Sequence, residues 1–407
     1  MDKSGENLFR RLERLNDIGA SLSNERHLPR LLEKILLAAK NITHADGGTL
    51  YLVSEDKRHL HFEIVRNDTL KVAFGGTSGQ PISDKFQDLP LYKEDGAPNN
   101  SMVAAYAALT GETVHIADAY VEAGHKVVVV DDLSVGKKEN INKKVKFYKA
   151  DLRNKRQIKK IFAQEKPEIV NHQAAQKSVN YSVKDPLYDA DINIIGFLNL
   201  MEAAKESGVK KCIFASTGGA IYGDTKKFPT PEDELPLPAS PYGITKLCSE
   251  NYLRFYFASA NIKPVVLRYA NVYGPRQDPL GEAGVIAIFS RLILAHKPVT
   301  VFGSGKQTRD YVFVADIASA SLLALNYDAK NFEEAVLNIG TGKETNLLQI
   351  IGYIEEACGK KAQITYAPAR QGDIERSAVD AQKAQKMLDW HPQVSLAEGI
   401  KKTVYNL

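Results

Sequence analysis

The chain opens with two different periodicities in succession. Leucine and isoleucine recur at helical spacing over residues 8 to 44, with a break near Ser23 and Asn24, which predicts two amphipathic helices. Residues 48 to 54 and 60 to 66 then read as two strands around a polar turn, which predicts an antiparallel hairpin. This part of the chain is therefore expected to be an α+β domain.

From about residue 126, short apolar runs alternate with helical stretches. The fourth and fifth runs end at Thr217 and Tyr269, and long helices are expected near residues 187 to 207 and 241 to 260. This alternation is typical of a doubly wound parallel sheet with helices on both faces. The pattern changes abruptly near residues 110 to 125, without a low-complexity linker.

Composition and charge change this picture little. The 407 residues exceed one typical domain, so two or three are expected. The formal net charge of +4 is too small to indicate a nucleic-acid or membrane partner, and neither is expected. The 3 cysteines are far apart and give neither a disulfide framework nor metal-ligand spacing, so no metal site is expected. Without a long apolar run or a signal-peptide pattern, the protein is expected to be cytoplasmic.

The strongest chemical signal is a tyrosine and a lysine one helical turn apart. Tyr242 and Lys246 open a predicted helix on one face, and Thr217 ends a predicted strand at the sheet edge where α/β folds place their sites. A phenol titrates near ~10, so it acts as a base near neutral pH only beside a cation such as Lys246. A neighbouring hydroxyl such as Thr217 can share the proton. These residues predict acid–base chemistry on a sugar or alcohol hydroxyl.

Further short motifs surround this constellation, namely Asp131-Asp132-Leu133-Ser134, Asp151-Leu152-Arg153-Asn154, His172-Gln173-Ala174-Ala175 with Lys177, Asn193, Arg268 to Arg276, Gly303-Ser304-Gly305, Arg309-Asp310-Tyr311, Asn338 to Gly342 and Arg370 to Asp373. With them, residues 121–407 resemble the extended short-chain dehydrogenase/reductase family and, within it, the NAD-dependent UDP-sugar 4-epimerases. The resemblance implies a Rossmann-like parallel sheet with a small C-terminal subdomain, mainly from about residue 270, that binds the nucleotide sugar. Gly303-Ser304-Gly305-Lys306 lacks the first glycine of a phosphate loop and is expected to be a turn.

Site residues follow from the same resemblance. The catalytic residues would be Thr217, Tyr242 and Lys246, with Lys246 depressing the pKa of Tyr242. NAD would be bound by Asp131, Asp132, Asp151, Leu152, Ala174, Lys177, Asn193, Tyr242, Lys246 and Tyr269. The UDP-sugar substrate would be bound by Lys177, Thr217, Asn271, Arg309, Arg370 and Asp373. Guanidinium groups suit a pyrophosphate because they pair bidentately with its oxygens, and acidic residues at the adenosine end favour NAD over its 2′-phosphorylated form.

The resemblance also indicates a reaction and an assembly. Gly218 and Gly219 stand where related sugar dehydratases carry an Asp-Glu pair, so epimerisation at C4 through a transient 4-keto sugar is favoured over dehydration. The expected substrate is a UDP-hexose of the UDP-glucose/UDP-galactose type, and another nucleotide-sugar-modifying enzyme of the same family is the alternative. A homodimer is expected through the helices near 188 to 207 and 241 to 260, with Leu253, Phe255 and Phe257 facing outward.

One family feature is missing from the sequence. Complete members begin with a strand and a glycine-rich turn that approaches the NAD pyrophosphate, whereas residues 102 to 114 contain only Gly111. The sheet is therefore expected to be incomplete at its first strand. Losing two or three charge-assisted hydrogen bonds of ~1.5–3 kcal/mol each would weaken NAD binding roughly 10²–10⁶-fold.

Residues 1–120 resemble a GAF domain that is cut short at this junction. The likeness rests on HADGGTLYLV, LHFEIVRND, FGGTSGQPI and SMVAAYAALTGETVHIADAY. Such a domain would take an unknown small ligand. The competing interpretation of the whole chain is then a catalytically silent GAF-linked sensor or scaffold.

Overall fold

The computed structural model describes residues 27–43, 47–54, 56, 58–67, 72–78, 80–82, 88–90, 119–122, 124–278, 284–369 and 374–405. The chain divides into two compact units, Met1–Ile116 and Ala117–Leu407. The helix predicted from the start of the 8 to 44 pattern lies outside the described residues. The second predicted helix is confirmed as α1, Leu28–Thr43.

The described part of the first unit is an antiparallel sheet with α1. The strands are β1 (Gly47–Val53), β2 (His59–Asn67), β3 (Val72–Gly75) and β4 (Leu89–Pro90), with β2 paired to the other three. The predicted hairpin is thus confirmed. Arg66, 8% exposed, joins helix to sheet, because its guanidinium donates to Glu33 of α1 and to the carbonyls of Phe74 and Gly75. A charged group so deeply buried needs these partners.

The second unit is built on a parallel sheet in the order β7-β8-β9-β14. Its strands are β7 (Ile169–His172), β8 (Lys211–Thr217), β9 (Lys263–Tyr269) and β14 (Val336–Ile339). The flanking helices include α3 (Lys155–Glu165), α4 (Val179–Lys184), α5 (Pro186–Ala190), α6 (Phe197–Ser207), α7 (Pro241–Ala260), α9 (Val314–Asn326), α10 (Phe332–Ala335) and α12 (Gln382–Leu388). The predicted α/β alternation is confirmed.

Two further strands form a separate parallel pair. β5 (Val128–Asp131) pairs with β6 (Lys146–Lys149), after the short helix α2 (Ala119–Glu122). Within the described ranges, no strand joins β5 to β7. The pair is attached through α3, whose Ile158 and Phe162 share a core with Phe197 and Met201 of α6.

The remaining elements form a smaller region with its own core. The strands are β10 (Asn271–Tyr273), β11 (Val299–Phe302), β12 (Thr308–Arg309), β13 (Tyr311–Phe313), β15 (Thr345–Asn346), β16 (Ile364–Ala367) and β17 (Arg376–Ser377), and the helices are α8 (Val285–Leu294), α11 (Leu347–Cys358) and α13 (Leu396–Val404). Ile286, Ile350 and Ile400 pack together at its centre. Gly303 and Gly305 form the predicted turn after β11, with φ of 70° and 72° that favour glycine.

Two sequence expectations about the helices need correction. The stretch near 187 to 207 is not one regular helix, because Asp191–Gly196 forms a π-helix between α5 and α6. Leu253 does not face outward but is fully buried, and Phe257 packs partly against the same core, whereas Phe255 is 57% exposed. Among the described helices, none has the length and apolar content needed to cross a bilayer.

Candidate active site

The predicted catalytic residues meet at the carboxyl edge of the main sheet. Thr217 is the last residue of β8, and Tyr242 and Lys246 lie in the first turns of α7. Two serines fix this helix start, because the side chain of Ser240 accepts from the amide of Gly243 at 3.2 Å and that of Ser182 accepts from the amide of Tyr242 at 3.1 Å. These are the amide groups that a helix start leaves without intrahelical partners.

Lys246 ties the helix to the strand. Its side chain is buried, and Nζ donates to the carbonyl of Ala215 in β8 at 2.8 Å. The same Nζ lies 4.9 Å from the ring centre of Phe214 and 5.9 Å from that of Tyr242. The ammonium is therefore close enough to favour negative charge on the Tyr242 phenol.

Burial controls the protonation of this pair. Burial raises the pKa of Tyr242 to about 12, while a side-chain hydrogen bond with Thr217 lowers it and the charge of Asp189 raises it further. Burial lowers the pKa of Lys246 to about 8, against the charges of Asp189 and Glu250, which raise it. The net pKa of Tyr242 is therefore raised in this structure, because desolvation outweighs the hydrogen bond with Thr217, and the depression by Lys246 stays a prediction. At neutral pH the phenol is protonated and the ammonium is mostly charged.

Two glycines form the wall beside Thr217. A Cβ on Gly218 would lie 2.6 Å from Cγ1 of Val379 and 3.2 Å from the carbonyl oxygen of Arg268. A Cβ on Gly219 would have its nearest neighbour, Oδ1 of Asn271, at 3.4 Å. Position 218 therefore has no room for an acidic side chain, and Gly219 lies between Thr217 and Asn271.

Asn271 and Arg309 line one cavity of about 510 Å³. Its apolar wall includes Phe289, Leu292 and Phe302. Asp310, 1% exposed, holds the rim together, because its backbone carbonyl accepts from the amide of Asn271 at 2.8 Å and its carboxylate accepts from Thr341. Arg370 and Asp373, the other expected substrate ligands, lie outside the described residues.

The acidic residues expected to bind adenosine follow the two strands of the separate pair. Asp131 ends β5 and accepts from the amide of Leu133 at 2.7 Å, and Asp132 accepts from the amide of Ser134 at 2.8 Å. Asp151 follows β6 and forms an ion pair with Arg153 at 2.6 Å, which lowers the pKa of that carboxyl. These carboxylates are held in place by local turns.

The other expected cofactor residues follow or end strands of the main sheet, except Leu152, which follows β6 of the separate pair, and Asn193, which lies in the π-helix. Ala174 and Lys177 are exposed beyond β7, and Leu152 lies beneath Gly196 of the π-helix. Tyr269 ends β9, and its hydroxyl accepts from Nε2 of Gln173 at 3.2 Å.

Asn193 is buried, and its side chain is used within the protein. Its Oδ1 accepts from the amide of Gln176 at 2.9 Å, and its Nδ2 donates to the carbonyl of Gln176 at 2.9 Å and to Asp189 at 3.1 Å.

Comparison with known proteins assigns these features to a family. A sequence profile of the NAD dependent epimerase/dehydratase family matches residues 114–340. The chain belongs to this family. A UDP-glucose 4-epimerase of Mycolicibacterium smegmatis is 42% identical over 309 residues, covering 75% of this chain and 97% of that protein.

Solved structures of epimerases match the same part of the chain. A UDP-glucose 4-epimerase from Thermotoga maritima, crystallised with UDP-glucose, is 48% identical with a TM-score of 0.68, covering 70% of this chain and 92% of that one. The enzyme from Thermus thermophilus, in complex with NAD, is 43% identical with a TM-score of 0.67, covering 70% of this chain and 92% of that one.

The described residues of this epimerase/dehydratase family member fit NAD at both ends of the cofactor. Asp131 stands at the carboxyl end of β5, where α/β folds place the carboxylate that receives a ribose hydroxyl. Gly136 keeps that carboxylate accessible, since a Cβ there would lie 3.1 Å from both of its oxygens. At the other end, Tyr242 and Lys246 carry the polar groups that the resemblance assigns to the nicotinamide ribose.

Sequence reasoning missed a buried polar network beneath the tyrosine and lysine. Asp189, fully buried on α5, accepts from Nε2 of Gln176 at 2.7 Å, Nδ2 of Asn193 at 3.1 Å and Oγ1 of Thr245 at 2.9 Å. The available signal was the spacing of Asp189 and Asn193, four residues apart on a predicted helix.

Proposed function

We propose that residues 121–407 invert C4 of a UDP-hexose of the UDP-glucose/UDP-galactose type. The observation that carries this proposal is the meeting of Thr217, Tyr242 and Lys246 beside the cavity lined by Asn271 and Arg309. The names of the M. smegmatis and T. maritima proteins support it. The tight packing at Gly218 favours epimerisation over dehydration, because an acidic residue there would have no room.

In this proposal Tyr242 moves the proton. The fraction of Tyr242 that has lost its phenolic proton takes the proton of the sugar 4-hydroxyl as C4 loses a hydride, and it gives that proton back when the hydride returns to the opposite face of the 4-keto sugar. Lys246 stabilises the phenolate by its charge, and Thr217 does so by a hydrogen bond. The chemistry expected of bound NAD is reversible acceptance of that single hydride.

Asn271 and Arg309 would hold the nucleotide sugar so that either face of its ring can be presented. Arg309 and Asn271 line the same cavity. The side chain of Asn271 also lies next to Gly219, which lies between Asn271 and Thr217. A guanidinium there suits a diphosphate. We include Lys177, Arg370 and Asp373 in the same proposal from sequence resemblance alone.

The test is conversion of UDP-galactose to UDP-glucose by the full chain with millimolar NAD, followed by chromatography. Tyr242→Phe is expected to lower turnover ~10²–10⁴-fold with UDP binding retained, because only the proton carrier is lost. Tyr252→Phe, a partly exposed tyrosine on the same helix, is the matched control and should turn over like wild type. Wild-type turnover by Tyr242→Phe would overturn the assignment.

We also propose that this chain binds NAD more weakly than complete family members. In a complete doubly wound sheet, the first strand lies between the strands that correspond to β5 and β7. Among the described residues, no strand lies between β5 and β7, and this supports the proposal. Calorimetric titration of the purified protein with NAD should show weak binding. Tight, near-stoichiometric binding would refute this proposal without touching the epimerase assignment.

Two further proposals concern organisation. We propose a homodimer through the helices near 188 to 207 and 241 to 260, supported by the exposed apolar side chains of Ile195 in the π-helix and of Ile244 and Phe255 on α7. We propose that residues 1–120 are a truncated GAF-like domain for a small ligand, and that the epimerase domain begins at about residue 121.

A folded protein without turnover at saturating NAD would instead favour the alternative function, a catalytically silent sensor or scaffold.

A further inference from the structure

The carboxylate of Asp189 is the group of interest. Asp189 lies on α5 and is 0% exposed. Its described side-chain partners are the donors Nε2 of Gln176, Nδ2 of Asn193 and Oγ1 of Thr245. Hydrogen-bond donors are the partners that a buried carboxylate needs. A negative charge is thereby fixed inside the protein next to the first turns of α7.

The network connects this charge to the proposed catalytic residues on one helix. Thr245 lies between Tyr242 and Lys246 in sequence, and its hydroxyl also contacts the backbone carbonyl of Tyr242 at 2.9 Å. Asn193, which holds Asp189, also holds the backbone of Gln176 beyond β7. One buried anion thus joins α5, the π-helix, the segment after β7 and α7.

We propose that Asp189 is a positioning residue that fixes the start of α7 and sets, by its charge, the protonation of the Tyr242–Lys246 pair. The inference rests on the epimerase function proposed above, and it adds a residue that never touches substrate. The anion stabilises the ammonium of Lys246 and opposes the phenolate of Tyr242, so it favours the state with both protons bound.

Few other charges can substitute for it. Among the described neighbours, Lys246 also faces Glu250, four residues on along α7, and His172 on β7. Burial lowers the pKa of His172 to about 3, so it stays neutral over the range of an assay. The other ionisable groups on or next to α4, α5 and the π-helix are Tyr181, Lys184, Asp185, Tyr188 and Asp191, and all of them keep some exposure. On α7 the others are Cys248, Tyr252, Arg254 and Tyr256, of which Tyr256 is buried.

Asp189→Asn isolates the charge, because an amide can close the same network. Its oxygen can keep the bonds from Gln176 and Asn193, and its NH₂ can donate to Oγ1 of Thr245, which then donates to the carbonyl of Tyr242. We therefore expect this variant to fold. The control is Asp316→Asn, another buried aspartate, whose carboxylate accepts from the amides of Gln393 and Val394 near α13.

The first measurement is the dependence of log kcat/KM for epimerisation on pH. Loss of the negative charge makes proton loss easier from both groups, so both limbs should move to lower pH by about 1 unit. Asp316→Asn should leave the limbs in place. Limbs of Asp189→Asn within 0.2–0.3 units of wild type, roughly the precision expected of such a fit, would overturn the proposal.

The second measurement needs no turnover. Lys246 has a folded pKa of about 8, below the ~10.4 of an unfolded lysine, so the unfolded chain binds more protons between these values and stability rises with pH there. In Asp189→Asn this rise in the urea midpoint should begin at lower pH than in wild type, and in Lys246→Met it should be lost. An unchanged onset in Asp189→Asn would contradict the proposal even if the epimerase function itself failed.

A third variant covers the case in which Asp189→Asn does not fold. Thr245→Val keeps the anion and removes one hydrogen bond, so its pH limbs and its stability onset should match wild type even if turnover falls. A shift of either by about 1 unit would show that geometry rather than charge sets the protonation.

Discussion

Removing one partner of the buried ion pair of Arg268 and Glu250 is expected to destabilise the second unit strongly. Arg268 of β9 donates from Nε and Nη2 to Glu250 of α7 at 3.0 and 2.7 Å and from Nη1 to the hydroxyl of Tyr222 at 2.9 Å. The two charged side chains are 5% and 3% exposed. Ser216, next to Thr217, donates to the same carboxylate at 2.5 Å. The pair therefore links the end of β8, β9 and α7.

Arg268→Met leaves Glu250 buried without its cation. Breaking a buried pair in this way costs about 3–5 kcal/mol, whereas replacing both partners by apolar residues costs much less. We expect that loss in the free energy of unfolding from urea titration of the single variant, and partial recovery in the double variant Arg268→Met with Glu250→Leu.

The matched control is an exposed pair. Lys159 and Glu206 lie 2.6 Å apart with side chains 37% and 52% exposed, so Lys159→Met should cost less than ~1 kcal/mol. The reasoning would be refuted if Arg268→Met cost as little as Lys159→Met. It would also be refuted if the double variant lost as much stability as the single variants Arg268→Met and Glu250→Leu lose added together.

Two further predictions concern the site wall and the outer face of α7. Gly218→Ala should lower the free energy of unfolding in urea titration by about 1–3 kcal/mol, because the added Cβ would lie 2.6 Å from Val379. Gly219→Ala should cost less than ~0.5 kcal/mol, and equal losses for the two variants would contradict this reasoning. Phe255→Glu places a charge on the face proposed to pair two copies, so light scattering should show a dimer for wild type and a monomer for the variant; an unchanged mass would exclude that face.

The sequence predicted the regular parts of the fold well. Buried strands such as β8 are continuous apolar runs, and α7 starts at Ser240-Pro241, a cap followed by a proline. The position of β8 and the start of α7 could therefore be predicted from local chemistry. The three residues proposed as catalytic could be found for the same reason, since Thr217 ends a strand and the other two share one helix face.

Features that depend on tertiary packing could not be predicted in this way. Asp191–Gly196 is a π-helix, which local propensity does not distinguish from an α-helix. Leu253 was expected to face outward because related epimerases pair this helix across a dimer interface, but it fills the core on the side of α7 that faces the sheet. The rise in the Tyr242 pKa depends on desolvation and on Asp189, which lies 53 positions earlier and meets the helix only in three dimensions.

The most direct test of the central claim is a proton NMR assay in deuterated water with UDP-galactose and saturating NAD. Because the hydride leaves C4 and returns to the same carbon within the site, the account predicts UDP-glucose that carries protium at C4. No conversion by the folded protein, or deuterium at C4 of the product, would contradict it.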